Sequence, residues 1–300
     1  MTRVEKSIVV LYDDFGKEWI EPIVQSGAKR VGLHFNPYTS CMDDFLRAAE
    51  RLRATEDALE QKGVAVEYYL HAVSWLLPRA LSAKEPELFR QNGAGERTAD
   101  YNCCPSSARA LAKLTARTAM LAARLGQRSH RYHIWQDDDL GGDVRCHCKL
   151  CESLSSAAQT FAIAQAMLRG LRVYDPLAEI SLLVYGQEQA DAPLPDGMFV
   201  EFAPFRREHG VPLTQGETNR AFVGRLKKLL ATYGADRVEV LEYFLSYDYA
   251  LFCRDGERVR RDVALYRALG VEKLSTFAVF AQKDYLKTHG FAGIREFMNL

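Results

Sequence analysis

The chain has no run of eighteen apolar residues, so no segment has the length of a hydrophobic membrane span. It has no excess of charge either, with 39 Lys and Arg against 39 Asp and Glu. That balance removes the electrostatic ground for a nucleic-acid or anionic-membrane partner. The opening segment MTRVEKSIVVLYDDF closes a short apolar run with acids. It lacks the apolar core and small-residue cleavage site of a signal peptide, which makes the cytoplasm the expected compartment. No glycine-rich nucleotide loop follows the first strand candidate, which weighs against a doubly wound sheet. Internal repeats, a low-complexity tail and tight HxH metal motifs are missing as well. What remains is 300 residues, 48% hydrophobic and 26% charged, enough to bury one large core or two ordinary ones.

Seven cysteines are present, at positions 41, 103, 104, 146, 148, 151 and 253. An odd number, three of them packed into CHCKLC, does not read as a disulfide framework. Cys146, Cys148 and Cys151 with Cys103 or Cys104 have the makings of a tetrahedral structural zinc site, although the first pair has only one intervening residue. Reduced thiols joining two long loops are the alternative. A catalytic cysteine would need a base, and only His147 is near in sequence.

Apolar runs of strand length recur at Ser7–Leu11, Arg30–Phe35, Ala65–Leu70, Arg131–Trp135, Glu179–Tyr185, Met198–Phe202, Arg237–Tyr243 and Thr276–Phe280. Many are apolar in both phases, as strands covered by helices must be. Helical segments intervene at Lys17–Gly27, Met42–Gln61, Ser106–Leu125, Ser153–Val173, Gly216–Tyr233, Asp262–Leu269 and Gly290–Met298. Several end at a glycine suited to the left-handed conformation: Gly27, Gly63, Gly126 and Gly234. Eight strands alternating with helices predict one (β/α)8 barrel over residues 1–300, a single catalytic domain closed by parallel pairing of the first and eighth strands. Its fifth unit is irregular, because GQEQADAPLPDG is too short and proline-rich for a full helix. A connection of about 35 residues after Leu70 is long enough to suggest a functional loop.

Alternation assigns the polar residues of each strand to one of two faces. His34 and Asn36 share a phase, as do Glu67, Tyr69 and His71, then His133, Trp135 and Asp137. Glu201 lies in the sixth strand and Glu242 near the end of the seventh, in phase with Val238 and Val240. Few inward bases are visible to pair with these acids, so an open hydrated pocket at the C-terminal strand ends is expected. An interior arginine or lysine paired with Glu67 or Glu201 is the plainer reading. Asp137-Asp138-Asp139 is the sharpest local signal. Crowded carboxylates can prepare a proton donor, hold calcium or magnesium, or form a solvated acidic loop. Trp75, Trp135, Tyr69, Tyr243 and Tyr247 lie near strand ends, where aromatic platforms with polar groups suit sugar rings. His71, Arg206 and Asn219 are candidates to grip hydroxyls or a carboxylate.

Three blocks carry a family resemblance. The first is LHAVSWLLPR with PELF, GERT and NCCPSS, through Ser107. The second is HIWQDDD with CHCKLC, from His133 to Cys151. The third is VEFAPFRREH from Val200, running on to Asn219 and then to VLEYFLSYDYALF from Val240. Together they resemble the family known as domain of unknown function 4838, a relative of β-hexosaminidase-type glycoside hydrolases. The resemblance implies a β/α barrel acting on complex glycans. Hexosaminidases place an aspartate–glutamate pair after the fourth strand, the glutamate as general acid and the aspartate orienting the acetamido group. The matching place here holds Asp138-Asp139, and an aspartate reaches one methylene less far.

The expected function is glycoside hydrolysis of a complex glycan or oligosaccharide, with no cofactor in the catalysis. Asp138 or Asp137 would protonate the leaving oxygen, with Glu242 or Glu201 as the partner acid. A separation of roughly 5 Å between the pair would imply retention and roughly 6.5–9.5 Å inversion. A barrel that binds carbohydrate without turnover is the second reading. The third is a metal-dependent hydrolase or isomerase using His34, Glu67, His71, His133 and Asp137.

Overall fold

Eight parallel strands alternate with helices along the chain and form one closed barrel in the order β1 to β8. The strands are β1 (Glu5–Leu11), β2 (Arg30–His34), β3 (Ala65–His71), β4 (Arg131–Trp135), β5 (Glu179–Val184), β6 (Met198–Phe202), β7 (Val238–Glu242) and β8 (Lys273–Phe277). The helices are α1 (Ile20–Gln25), α2 (Met42–Gln61), α3 (Val73–Leu76), α4 (Ala108–Leu125), α5 (Ser156–Tyr174), α6 (Glu217–Tyr233), α7 (Gly256–Ala268), α8 (Tyr285–His289) and α9 (Ala292–Asn299). This computed structural model describes residues 4–35, 41–100, 102–138, 143–185, 192–245, 256–278 and 285–300. No helix among them is long and apolar enough to cross a membrane. The expected (β/α)8 barrel is therefore the observed one.

Closure follows the expected pairing. β1 runs parallel to β8 with Glu5 opposite Lys273 and Val9 opposite Phe277. The eighth strand begins three residues earlier than its apolar run suggests. Lys273 and Ser275 made that stretch look like loop, yet Ser275 turns inward and its hydroxyl lies 2.8 Å from that of Ser7. Gly27, Gly63, Gly126 and Gly234 all have the expected positive φ.

The chain gathers into two compact units, one of Met1–Tyr69, Leu183–Gln187 and Phe199–Leu300, the other of Leu70–Leu182 and Glu188–Met198. In the first, Arg30 at the start of β2 is buried, with Nη1 3.4 Å from Glu67 and 3.3 Å from Glu239, and Nε 3.0 Å from Glu5. Burial opposes its charge, and the surrounding carboxylates outweigh that cost. This corrects the expectation of few inward bases: Glu67 is a buried partner of Arg30 and does not open on a pocket. Gly32, next in phase after Arg30, is needed for space. A Cβ there would sit 2.6 Å from the Tyr69 ring.

A second buried cluster in this unit ties β7 to α7. Arg207 Nε contacts both oxygens of Glu242 at 3.2–3.3 Å, and its Nη2 lies 3.3 Å from Asp262. The Tyr266 hydroxyl and the Tyr243 amide also donate to Glu242, at 2.5 and 3.1 Å. One guanidinium thus faces two acids in a dry site. Burial, with Glu242 nearby, pushes the Asp262 carboxyl up to about 6 even though Arg207 and the Leu213 amide favour its charge.

In the second unit α4 packs on α5. Both helices are capped by serine, the Ser107 hydroxyl accepting from the Ala110 amide and the Ser155 hydroxyl from the Ala158 amide. Gly170 lets the two backbones approach, since a Cβ there would meet the Thr115 carbonyl at 2.3 Å.

Two measurements test these buried charges. Arg30→Met should destabilise the fold by about 3–5 kcal/mol in denaturant titration, because it leaves acids buried without their base. Adding Glu67→Gln and Glu239→Gln should recover much of that loss. For Asp262, the folded protein holds a proton that the unfolded chain releases near the ordinary value of 3.8. Between about pH 4 and 6 the folded state therefore binds more protons, and this group's contribution falls as pH rises, by up to about 3 kcal/mol. The stability of the parent minus that of Asp262→Asn should drop across this window. A flat difference would refute the assignment.

Candidate active site

His71 closes β3, and β4 is followed by Gln136, Asp137 and Asp138; all four belong to the second unit. The Ala72 amide donates to the Trp135 carbonyl at 3.1 Å, which extends the strand contact to the strand tips. His71 Nδ1 lies 2.6 Å from the Gln136 carbonyl, an acceptor only, so Nδ1 carries a hydrogen. Nε2 then faces Asp138 Oδ1 at 3.2 Å. At that distance the two groups are placed to pass a proton between them. Asp138 is 28% exposed, so the contact sits beside solvent.

Asp137 is occupied differently. It forms an ion pair with Arg79 and accepts from the Ser74 amide at 3.0 Å. Two adjacent aspartates therefore have separate partners, one a guanidinium and the other a histidine. Trp135 is 3% exposed, donates its indole N–H to Ser181 at 2.8 Å and places its ring 4.9 Å from that of His71. It walls the histidine. Trp75 is half-buried, and the Arg117 guanidinium sits 4.8 Å from its ring. The loop beneath is held by Gln136, whose side chain accepts from Asn102 at 2.8 Å and donates to the Thr160 carbonyl at 3.3 Å.

The first unit places its candidates elsewhere than expected. Glu242 is fully buried in the Arg207–Asp262–Tyr266 cluster. Its phase, shared with Val238 and Val240, is the helix-facing one, because Glu239 three residues earlier points to Arg30. Glu201 is also fully buried, in register with Glu239. Asn219 is buried in α6, where it accepts from the Glu208 amide and donates toward the carbonyls of Glu208, Val211 and Pro212. Its side chain binds its own loop and has no capacity left for a sugar. Arg206 is exposed, whereas the adjacent Arg207 is the buried ion-pairing residue. Tyr243 is 4% exposed, stacked on Phe277 with ring centroids 5.4 Å apart and edge-on to Phe205 at 5.1 Å. It is a packing residue. His34 places Nδ1 3.1 Å from the Tyr69 carbonyl. His133 is buried in β4. Asn36, Asp139, Tyr247 and Cys253 lie outside the described residues.

Sequence reasoning missed Arg79 and Arg207. Both follow short proline-containing stretches, and no periodicity marks which arginine turns inward. The acids they neutralise were the available signal.

Cys104, Cys146, Cys148 and Cys151 converge, with their sulfurs within 4.8 Å of one another, and all are buried. Four such thiols are able to hold a metal ion. Cys103 is buried too but stands outside this group. It bridges to Phe89 in extended chain, where neighbouring side chains point to opposite sides. His147 Nε2 lies 2.6 Å from Asp143, so its imidazole is committed away from the thiols.

No family model matches the chain, and no curated protein does. Solved structures share its fold. The glycoside hydrolase domain of PgaB (BpsB) from Bordetella bronchiseptica aligns with a TM-score of 0.61 and 14% identity over 99% of both chains. The β-N-acetylhexosaminidase of Bacteroides fragilis aligns at 0.60 and 14%, covering 98% of this chain and 65% of that one. Dispersin B aligns at 0.57 and 11% over 99% of both chains. The resemblance read from the sequence thus stands as a shared barrel fold with hexosaminidase-type glycoside hydrolases.

Proposed function

We propose that this chain is a glycoside hydrolase of the hexosaminidase-like group, close to the family known as domain of unknown function 4838, and that it acts on a complex glycan or oligosaccharide. One observation carries the reading: Asp138, reached by solvent, lies 3.2 Å from Nε2 of an imidazole whose other nitrogen is fixed as a donor. A glycosidic oxygen leaves poorly unless it is protonated. The Asp138–His71 pair offers that proton and can take it back from the attacking water. Asp137 stays an anion through Arg79 and the Ser74 amide, which suits it to orient a polar substrate group or oppose developing positive charge. The reaction uses these side chains and no cofactor. Six described cysteines are free thiols, in keeping with a reducing compartment such as the cytoplasm.

Glu242 and Glu201 are not retained as the partner acid, since each is buried away from solvent. Of the ligands considered for a metal-dependent reaction, Glu67 and Asp137 are instead ion-paired to Arg30 and Arg79.

The test is hydrolysis across a glycan panel by the parent, Asp138→Asn, Asp137→Asn and Glu242→Gln. Asp138→Asn should lower kcat/KM on a natural sugar leaving group about 10²–10⁴-fold. It should lower it much less on an aryl glycoside, whose leaving group needs little protonation. Asp137→Asn should impair both substrates alike. Glu242→Gln should chiefly lower stability, with turnover per folded molecule kept. Equal activity of Asp138→Asn and parent on every cleaved substrate would exclude the assignment. A parent that binds glycans and cleaves none would make this a binding barrel.

A further inference from the structure

Four thiols in a protein without a second use for them call for an explanation. Cys104 lies in the loop after β3, and Cys146, Cys148 and Cys151 lie in the loop after β4. The Cys104 sulfur is 3.7 Å from that of Cys148 and 3.7 Å from that of Cys151. A tetrahedral zinc with Zn–S bonds of about 2.3 Å spaces its sulfurs about 3.8 Å apart. A disulfide would bring two of them to about 2.0 Å and leave the other pair behind.

The surroundings suit thiolates. The Gln91 amide points at Cys146 Sγ from 3.3 Å, and Arg97 Nη1 lies 3.9 Å from the same sulfur. The turn itself is held open by Gln159. Its Oε1 accepts from the Cys146 amide at 2.8 Å, and its Nε2 donates to the carbonyls of Cys146 and Cys151 at 3.1 and 3.2 Å. This fixes the tight CHCKLC turn in which one residue separates the first two sulfurs. Hydrogen-bond donors and a cation offset the net negative charge of four thiolates around one divalent ion. An all-sulfur, closed, buried set suits a structural zinc, with iron the competing ion, and leaves no open position for a substrate.

We propose that Cys104, Cys146, Cys148 and Cys151 bind one zinc ion that staples the loop after β3 to the loop after β4. Both loops lead to the candidate active site. Asn102, two residues before Cys104, donates to Gln136, and the Gln136 carbonyl receives His71. The zinc is independent of the hydrolase reading, since its test does not use turnover.

Elemental analysis of the full chain purified without chelator should find one zinc per chain. Cys148→Ser and Cys104→Ser should lose it, and Cys103→Ser, outside the cluster, should keep it. Cobalt substituted into the parent should give the intense visible bands of a tetrahedral ion and near-ultraviolet thiolate charge transfer. Should the serine variants fail to fold, titrating the parent with an organomercurial beside a chromophoric chelator should release the zinc as four thiols react. Chelated parent should be cut faster by trypsin in the segment from Arg79 to Arg97. A folded parent without stoichiometric zinc, iron in its place, full zinc in Cys148→Ser, or a loss in Cys103→Ser equal to that in Cys104→Ser would each overturn the assignment.

Discussion

The interior of this barrel depends on one buried guanidinium. Arg30 sits among Glu5, Glu67 and Glu239, in a space where isolated carboxylates would each cost several kcal/mol. Its presence on β2 lets strands β3 and β7 carry acids on their inner faces. Gly32 then makes room for the Tyr69 ring directly beyond the charge cluster. Net stabilisation by such a cluster is modest, but removal of its centre is severe, because the remaining charges have no water to turn to.

The same device recurs and sorts the acids of the molecule. Arg207 takes Glu242 and Asp262 on the outer side of β7. Arg79 takes Asp137 beyond β4. Among the described acids that follow β4 directly, the one left beside solvent with a histidine is Asp138. The candidate proton donor is thus defined by subtraction: it is the acid of the strand-tip group whose partner can exchange a proton, whereas a guanidinium cannot under any ordinary condition.

Loop order supports this sorting. Gln136 joins the His71 imidazole, the Asn102 amide and α5 through three contacts from one residue. The thiol cluster grips the same two loops a few residues further out. A loop of this length would otherwise carry much conformational freedom, and proton transfer tolerates little misplacement.

Much of the architecture was legible in sequence. Strand length, apolar runs in both phases and glycines after helices are local properties, and they suffice to count eight βα units and to close β1 on β8. Met42–Gln61 and Arg131–Trp135 are read to the residue for the same reason. The HIWQDDD stretch marked the candidate site because adjacent acids at a strand tip stand out locally. The CHCKLC thiols with Cys103 or Cys104 were legible through the rarity of cysteine, and the tertiary structure brings Cys104 to them. The partner of each acid was not. Glu242 reads as inward only if the phase of its strand is assigned without Arg30 and Arg207, which lie 212 and 35 residues away in sequence. Sequence alone determined the barrel and which residues have chemistry to offer. Tertiary structure decided which acids are neutralised, because that depends on distances of 3–4 Å between side chains from remote segments, and alternation along a strand sets a face but never a neighbour.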